Sequence, residues 1–88
     1  MNYNFFKNKK ILVTGHTGFK GSWLVTWLNL LGSKVMGISL PSQKGDNHFK
    51  ILKKKIKIID QRGDIRNLKF LDRQIKKFKP DIVFHLAA

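Results

Sequence analysis

Eighty-eight residues carry 18 lysines and arginines against five acids, a formal net charge of +13, and no cysteine. A chain this short makes one small domain with little stability in reserve, and without cysteine it has neither a disulfide framework nor a thiolate metal site. The N-terminus MNYNFFKNKK has no apolar h-region and no small-residue cleavage site. No run approaches the roughly 18 apolar residues that span a bilayer, so a soluble, cytoplasmic protein is expected.

The charge taken alone points to nucleic acid or another anionic partner. Its make-up argues otherwise: glutamate is absent, and the only arginines are Arg62, Arg66 and Arg73. Arginine is the side chain that base readout and bidentate phosphate clamping favour. We read the lysine excess as compositional drift, with a nucleic-acid-binding module kept as an alternative.

In chain order, residues 1–10 are a polar lead-in in which Phe5 and Phe6 pack under the sheet edge. Ile11, Leu12 and Val13 make an unbroken apolar run, the pattern of a parallel strand buried on both faces. Gly15, Gly18 and Gly21 follow three residues apart, and the period then becomes helical. Phe19, Trp23, Trp27 and Leu31 recur every four residues beside Leu24 and Leu28, predicting an apolar inner face, and Gly32 supplies the stop. A glycine turn between a strand and a helix has a physical use. One glycine makes the turn, one lets backbone approach a pyrophosphate, and one lets the helix close on the sheet. The phosphate then sits on the unpaired N–H groups and positive dipole end of the helix.

Lys34–Ser39 reads as a second strand and residues 40–47 as a Pro/Gly/polar loop. The acid that accepts ribose hydroxyls at the end of such a strand is replaced by Ser39. A serine bonds a hydroxyl more weakly and also tolerates a 2′-phosphate, with Lys44 as its candidate partner, so the residues leave NAD and NADP both open. That Ser39 merely ends the strand is an equal reading. Asp46 or Asn47 caps a short helix with Phe49 and Leu52 inward. Ile56, Ile58 and Ile59 form an edge-ward third strand, followed by Gly63, Asp64 and Ile65. Asn67 caps a helix whose inner face is Leu68, Leu71, Ile75 and Phe78, and Pro80 ends it. Ile82–Leu86 is a fourth buried strand, in which His85 is a satisfied core histidine. The elements predict an α/β fold, a Rossmann-like parallel sheet of about four strands in order 3-2-1-4 with flanking helices, truncated after the fourth strand.

The string VTGHTGFKGSWL (Val13–Leu24), with GDIR at Gly63–Arg66 and KPDIVFH at Lys79–His85, resembles the extended short-chain dehydrogenase/reductases. Within the NAD-dependent epimerases and dehydratases it looks like the CDP-glucose 4,6-dehydratase branch. The resemblance implies an incomplete N-terminal NAD(P)-binding domain over residues 1–88, NAD as cofactor, and CDP-glucose as substrate of a parent enzyme in nucleotide-sugar and O-antigen biosynthesis. It assigns the cofactor to Gly15, His16, Gly18, Phe19, Lys20, Gly21, Ser39, Asp64, Ile65, Leu86, Ala87 and Ala88. In it Asp64 accepts from the adenine amino group, Ile65 packs on the ring, and Leu86–Ala88 form a small-residue wall. The family's catalytic Tyr-x-x-x-Lys pair has no counterpart at a strand end, since Tyr3 and Lys7 lie in the lead-in. No catalytic residue and no metal site are therefore assigned. The expected partners are NAD, a nucleotide sugar in the parent enzyme, and a C-terminal complementing chain or a second copy; no membrane is expected.

Overall fold

The apolar run at Ile11–Val13 becomes the centre of strand β1 (Lys10–Thr14), where Ile11, Leu12 and Val13 are at most 1% exposed. The protein is described here by a computed structural model covering residues 3–41 and 47–87. A 3-10 turn at Tyr3–Phe6 leads into β1, and helix α1 (Phe19–Leu30) and strand β2 (Lys34–Ser39) follow. Helix α2 (Asn47–Lys53), strand β3 (Ile59–Arg62), helix α3 (Leu68–Phe78) and strand β4 (Ile82–His85) complete the order. The strands form one parallel sheet in order β3-β2-β1-β4. The register pairs Thr14 with Ile38 and His85, and Ser39 with Arg62, so the carboxyl ends of all four strands share one edge.

Side chains alternate across this sheet, and each face has its own core. Ile11, Val13 and Val35 meet Val25 and Leu28 of α1 and Phe49 of α2 on one side. Leu12, Met36 and Ile38 meet Phe78 of α3 on the other, with Phe70 and Leu71 against them. Helix α1 ends in a Schellman arrangement: Gly32 at φ +87° donates to Asn29 O, and Ser33 N reaches back to Leu28 O at 3.0 Å. Glycine is favoured there because the left-handed region costs it nothing.

Five expectations change. The buried face of α1 is Gly21, Ser22, Val25 and Leu28, while Phe19, Trp23 and Trp27 are 69%, 53% and 56% exposed. The cause is Gly21, where a Cβ would run into the carbonyl of Gly15, so this side alone brings the helix close to the sheet. The four-residue stripe lies roughly half a turn away at 100° per residue. In α3, Phe70, Leu71 and Phe78 face the core, whereas Leu68 and Ile75 are exposed on its flank. The ring of Phe70 seats over Gly63, which sets that rotation. Ile56 and Ile58 precede β3 and fill the core beside Phe49 instead of pairing. Of the two lead-in aromatics, Phe6 packs on the core and Phe5 is exposed. His85 is satisfied by Thr14 Oγ1 at 2.7 Å but stands exposed, as does Val83, since β4 is the edge of the described sheet.

These orientations give opposite costs to two neighbouring substitutions. Leu28→Ala should destabilise the chain by about 2 to 5 kcal/mol through cavity formation, and Trp27→Ala by under about 1 kcal/mol. Urea unfolding of both variants checks the assignment, and a larger loss at Trp27 would contradict it.

Candidate functional site

The turn between β1 and α1 is built from backbone. Gly15 sits at φ +80°, and a Cβ on it would lie 2.8 Å from Ala87 N, so no other residue fits without moving the end of β4. Its own N–H bonds Ile38 O at 2.8 Å, which ties the turn to β2. Gly18 is the N-cap of α1 and makes no side-chain cap. The three glycines thus differ in kind: Gly15 and Gly21 face protein, whereas a Cβ on Gly18 would meet nothing nearer than Gly15 O at 3.6 Å. Gly18 is the one whose side is open.

Above this turn lies a cavity of about 460 Å³ at the carboxyl edge of the sheet, the place where open α/β sheets take ligands. Gly15, Thr17 and Gly18 form one wall, Ile38, Ser39 and Leu40 a second, Gly63 to Arg66 a third, and Leu86 and Ala87 the last. Ser39 is buried, and its hydroxyl accepts the Thr17 N–H at 3.3 Å, bonding the phosphate turn to the end of β2. Asp64 accepts the backbone N–H of Arg66 at 2.9 Å and its guanidinium at 2.6 Å. The Arg66 side-chain bond, then its backbone bond, holds the Asp64 carboxyl below its ordinary range, so it is an ionised acceptor on the cavity rim.

Beneath the turn is a second polar cluster that sequence reasoning missed. His16 is fully buried, its Nε2 2.7 Å from Asp60 Oδ1, and its ring stands edge-on to Phe49 at 4.8 Å. Asp60 also accepts from Lys53 Nζ and Arg62 Nε, each at 2.9 Å. Burial alone would raise the Asp60 carboxyl, but the bonds from Arg62, Lys53 and His16 outweigh it and bring it down to about 2. Burial lowers the His16 pKa, and Asp60 only partly offsets this. Nothing local in sequence marks this cluster, because His16 and Asp60 lie 44 residues apart.

Of the residues expected at the cofactor, Gly15, Gly18, Ser39, Asp64, Ile65, Leu86 and Ala87 come together around the cavity. Gly21 and His16 lie behind it, and Phe19 and Lys20 are exposed on the first turn of α1 outside its lining. Ala88, Lys44 and Asp46 fall outside the described residues. Thr17, Ile38, Leu40, Gly63 and Arg66 also line the cavity and were not anticipated as site residues, although each adjoins one that was. Lys7 lies against Gly32, at the opposite edge of the sheet from the cavity.

A family model described as GDP-mannose 4,6 dehydratase matches residues 12–88. The chain belongs to this family. It is 45% identical to a CDP-glucose 4,6-dehydratase of Salmonella typhimurium over 97% of its own length. Among solved structures, the epimerase Mth375 of Methanothermobacter thermautotrophicus superposes with a TM-score of 0.77 at 32% identity, over 98% of this chain. The Bordetella bronchiseptica enzyme WbmH, solved in complex with NAD+, superposes with a TM-score of 0.75 at 28% identity over 92% of it. The chain spans about a quarter of each relative's length, 24%, 24% and 26% in that order.

The Asp60 cluster gives this family member a distinct acid limb. A carboxyl whose folded pKa is about 2, against 3.8 ordinarily, adds stability above about pH 4 that disappears as pH falls toward 2. Asp60→Asn should therefore be less stable than wild type at neutral pH, and the gap should close over that window. Chemical denaturation at a series of pH values reads it, and a gap that does not change with pH would refute the assignment.

Proposed function

We propose that this chain is the cofactor-binding part of an NAD-dependent nucleotide-sugar 4,6-dehydratase, and that it holds the adenosine diphosphate half of NAD in the cavity above the glycine turn. The observation that carries the reading is the open side of Gly18 between two glycines packed on protein. A turn used only as a connection has no need of the middle glycine, whereas a pyrophosphate lying on backbone does. The donors in the turn are main-chain N–H groups at the start of a 12-residue helix, which favours an anion without a basic side chain.

The rest of the cavity suits a nucleoside. Ser39, whose oxygen already accepts from Thr17, still has its hydroxyl hydrogen to offer a ribose hydroxyl. Asp64 is an ionised acceptor for the adenine amino group, and Ile65 lies next to it as an apolar surface for the ring. Leu86 and Ala87 leave space beside the turn. NAD is favoured by the NAD+ complex of WbmH, and CDP-glucose by the likeness to the Salmonella typhimurium enzyme.

NAD, when bound, would supply a hydride acceptor for C4 of the hexose. The groups assigned here bind and orient that cofactor. The base for C4 oxidation is expected outside these 88 residues, because Tyr3 and Lys7 belong to the lead-in and Lys7 lies against Gly32, at the opposite edge of the sheet from the cavity.

Gly18→Val tests the reading directly. Its methyl groups would occupy the cavity without touching the core, so the fold should persist while affinity for NAD+ and AMP drops by about tenfold or more, some 1.4 kcal/mol. Calorimetric titration alongside far-ultraviolet dichroism checks both. A folded Gly18→Val chain that binds as wild type does would remove the phosphate-turn assignment.

A further inference from the structure

We propose that His16 is a positioning residue for the phosphate turn, tying Gly15–Gly18 to β3 through Asp60 without itself touching the cofactor. The inference rests on the nucleotide reading of the cavity and adds the means by which the turn is held.

The ring has a built seat. Gly37 of β2 lies directly under it, and a Cβ there would collide with the imidazole. Phe49 of α2 closes one side edge-on, and Nε2 meets Asp60 of β3. One side chain of the turn is thus held by three elements that follow it in the sequence. The cluster also reaches the second wall of the cavity: Arg62, bonded to Asp60, donates from Nη1 to Leu40 O at 3.2 Å, and Leu40 lines the site. Movement of β3 is in this way shared between the phosphate end and the ribose end of the cavity.

The proton inventory makes the tie conditional. Asp60 is acceptor-only, so Nε2 carries the proton and donates. Nδ1 is buried with no hydrogen-bond partner among the described residues, so the neutral ring is the form this seat accepts. The charged groups facing the ring are Asp60 and Arg62 from β3 and, through Asp60, Lys53 from α2; β2 presents only Gly37 and Ile38. A second proton would be buried with the ring; Asp60 and the Ile38 backbone favour it, but burial outweighs them. Because burial lowers the pKa from 6.5, the ring charges only as pH falls below that value; the Nε2–H bond to Asp60 survives, but the seat then holds a buried charge and loses stability in that direction.

Three chains and one ligand decide it. NAD+ is the probe, since its diphosphate keeps its charge from about pH 7.5 to about pH 5. Wild type should bind less tightly at the acid end of that range. His16→Phe keeps a ring against Phe49 but has no donor, and should lose about tenfold in affinity at neutral pH. His16→Gln returns an N–H near the Nε2 position, so it should restore most of that loss and bind with little dependence on pH. Neutral-pH affinity of His16→Phe equal to wild type overturns the inference while the nucleotide reading stands. If His16→Phe does not fold, the pH series of wild type and His16→Gln decides alone, and identical slopes overturn the inference. A folded wild-type chain with no NAD+ binding overturns the nucleotide reading instead.

Discussion

The structure depends on one close approach of backbone to backbone. Gly21 lets the first turn of α1 rest on the carbonyl of Gly15, and Gly15 in turn lies against the amide of Ala87 at the end of β4. No side chain fits at either contact, so the relative positions of β1, α1 and β4 are set by main-chain volume. From this follow the rotation of α1, the burial of Val25 and Leu28, and the outward aromatic row of Phe19, Trp23 and Trp27. The cavity is the space left on the far side of the same turn, which is why Gly18 faces it while its two neighbours in the motif do not.

Sequence order and period were enough for the topology. A short apolar run, a glycine turn and a helical period repeated along the chain lead to a parallel sheet, and the order β3-β2-β1-β4 was expected and is observed. Helix faces were less legible, for a definite reason: α1 is apolar on both sides, so the longest regular stripe was mistaken for the inner one. Its true inner face includes Gly21 and Ser22, which hydropathy scores poorly but close packing requires. The same error recurs in α3, where leucine and isoleucine at Leu68 and Ile75 outranked Phe70, whose place is decided by Gly63.

Side-chain chemistry divided along another line. Residues contiguous with a motif, such as Asp64 and Ala87, were found at the cavity because the backbone delivers them there. The cluster of His16, Lys53, Asp60 and Arg62 was invisible, since it joins three elements and its members share no local pattern. It also shows where the few acids of a +13 chain are spent. Among the described residues, Asp64 pairs with Arg66, Asp72 with Lys76 and Asp81 with the Lys10 amide, leaving Asp60 as the acid that holds the interior of the site together. Pairs such as Asp72 and Lys76, exposed on a helix, add little. Asp60, with its side chain only 10% exposed and three donors on it, is the electrostatic contact on which the site geometry rests.

The most direct test of the central claim is an amide shift map of the labelled 88-residue chain titrated with AMP, whose adenine, ribose and phosphate address three walls of the cavity. The account predicts saturable shifts at Gly15, Thr17, Gly18, Ser39, Asp64, Ile65 and Ala87, with none along the exposed row of Trp23, Trp27 and Leu30. Shifts centred on that row, or on the lysine-rich segment at Lys53–Lys57, with the glycine turn unmoved, would contradict it.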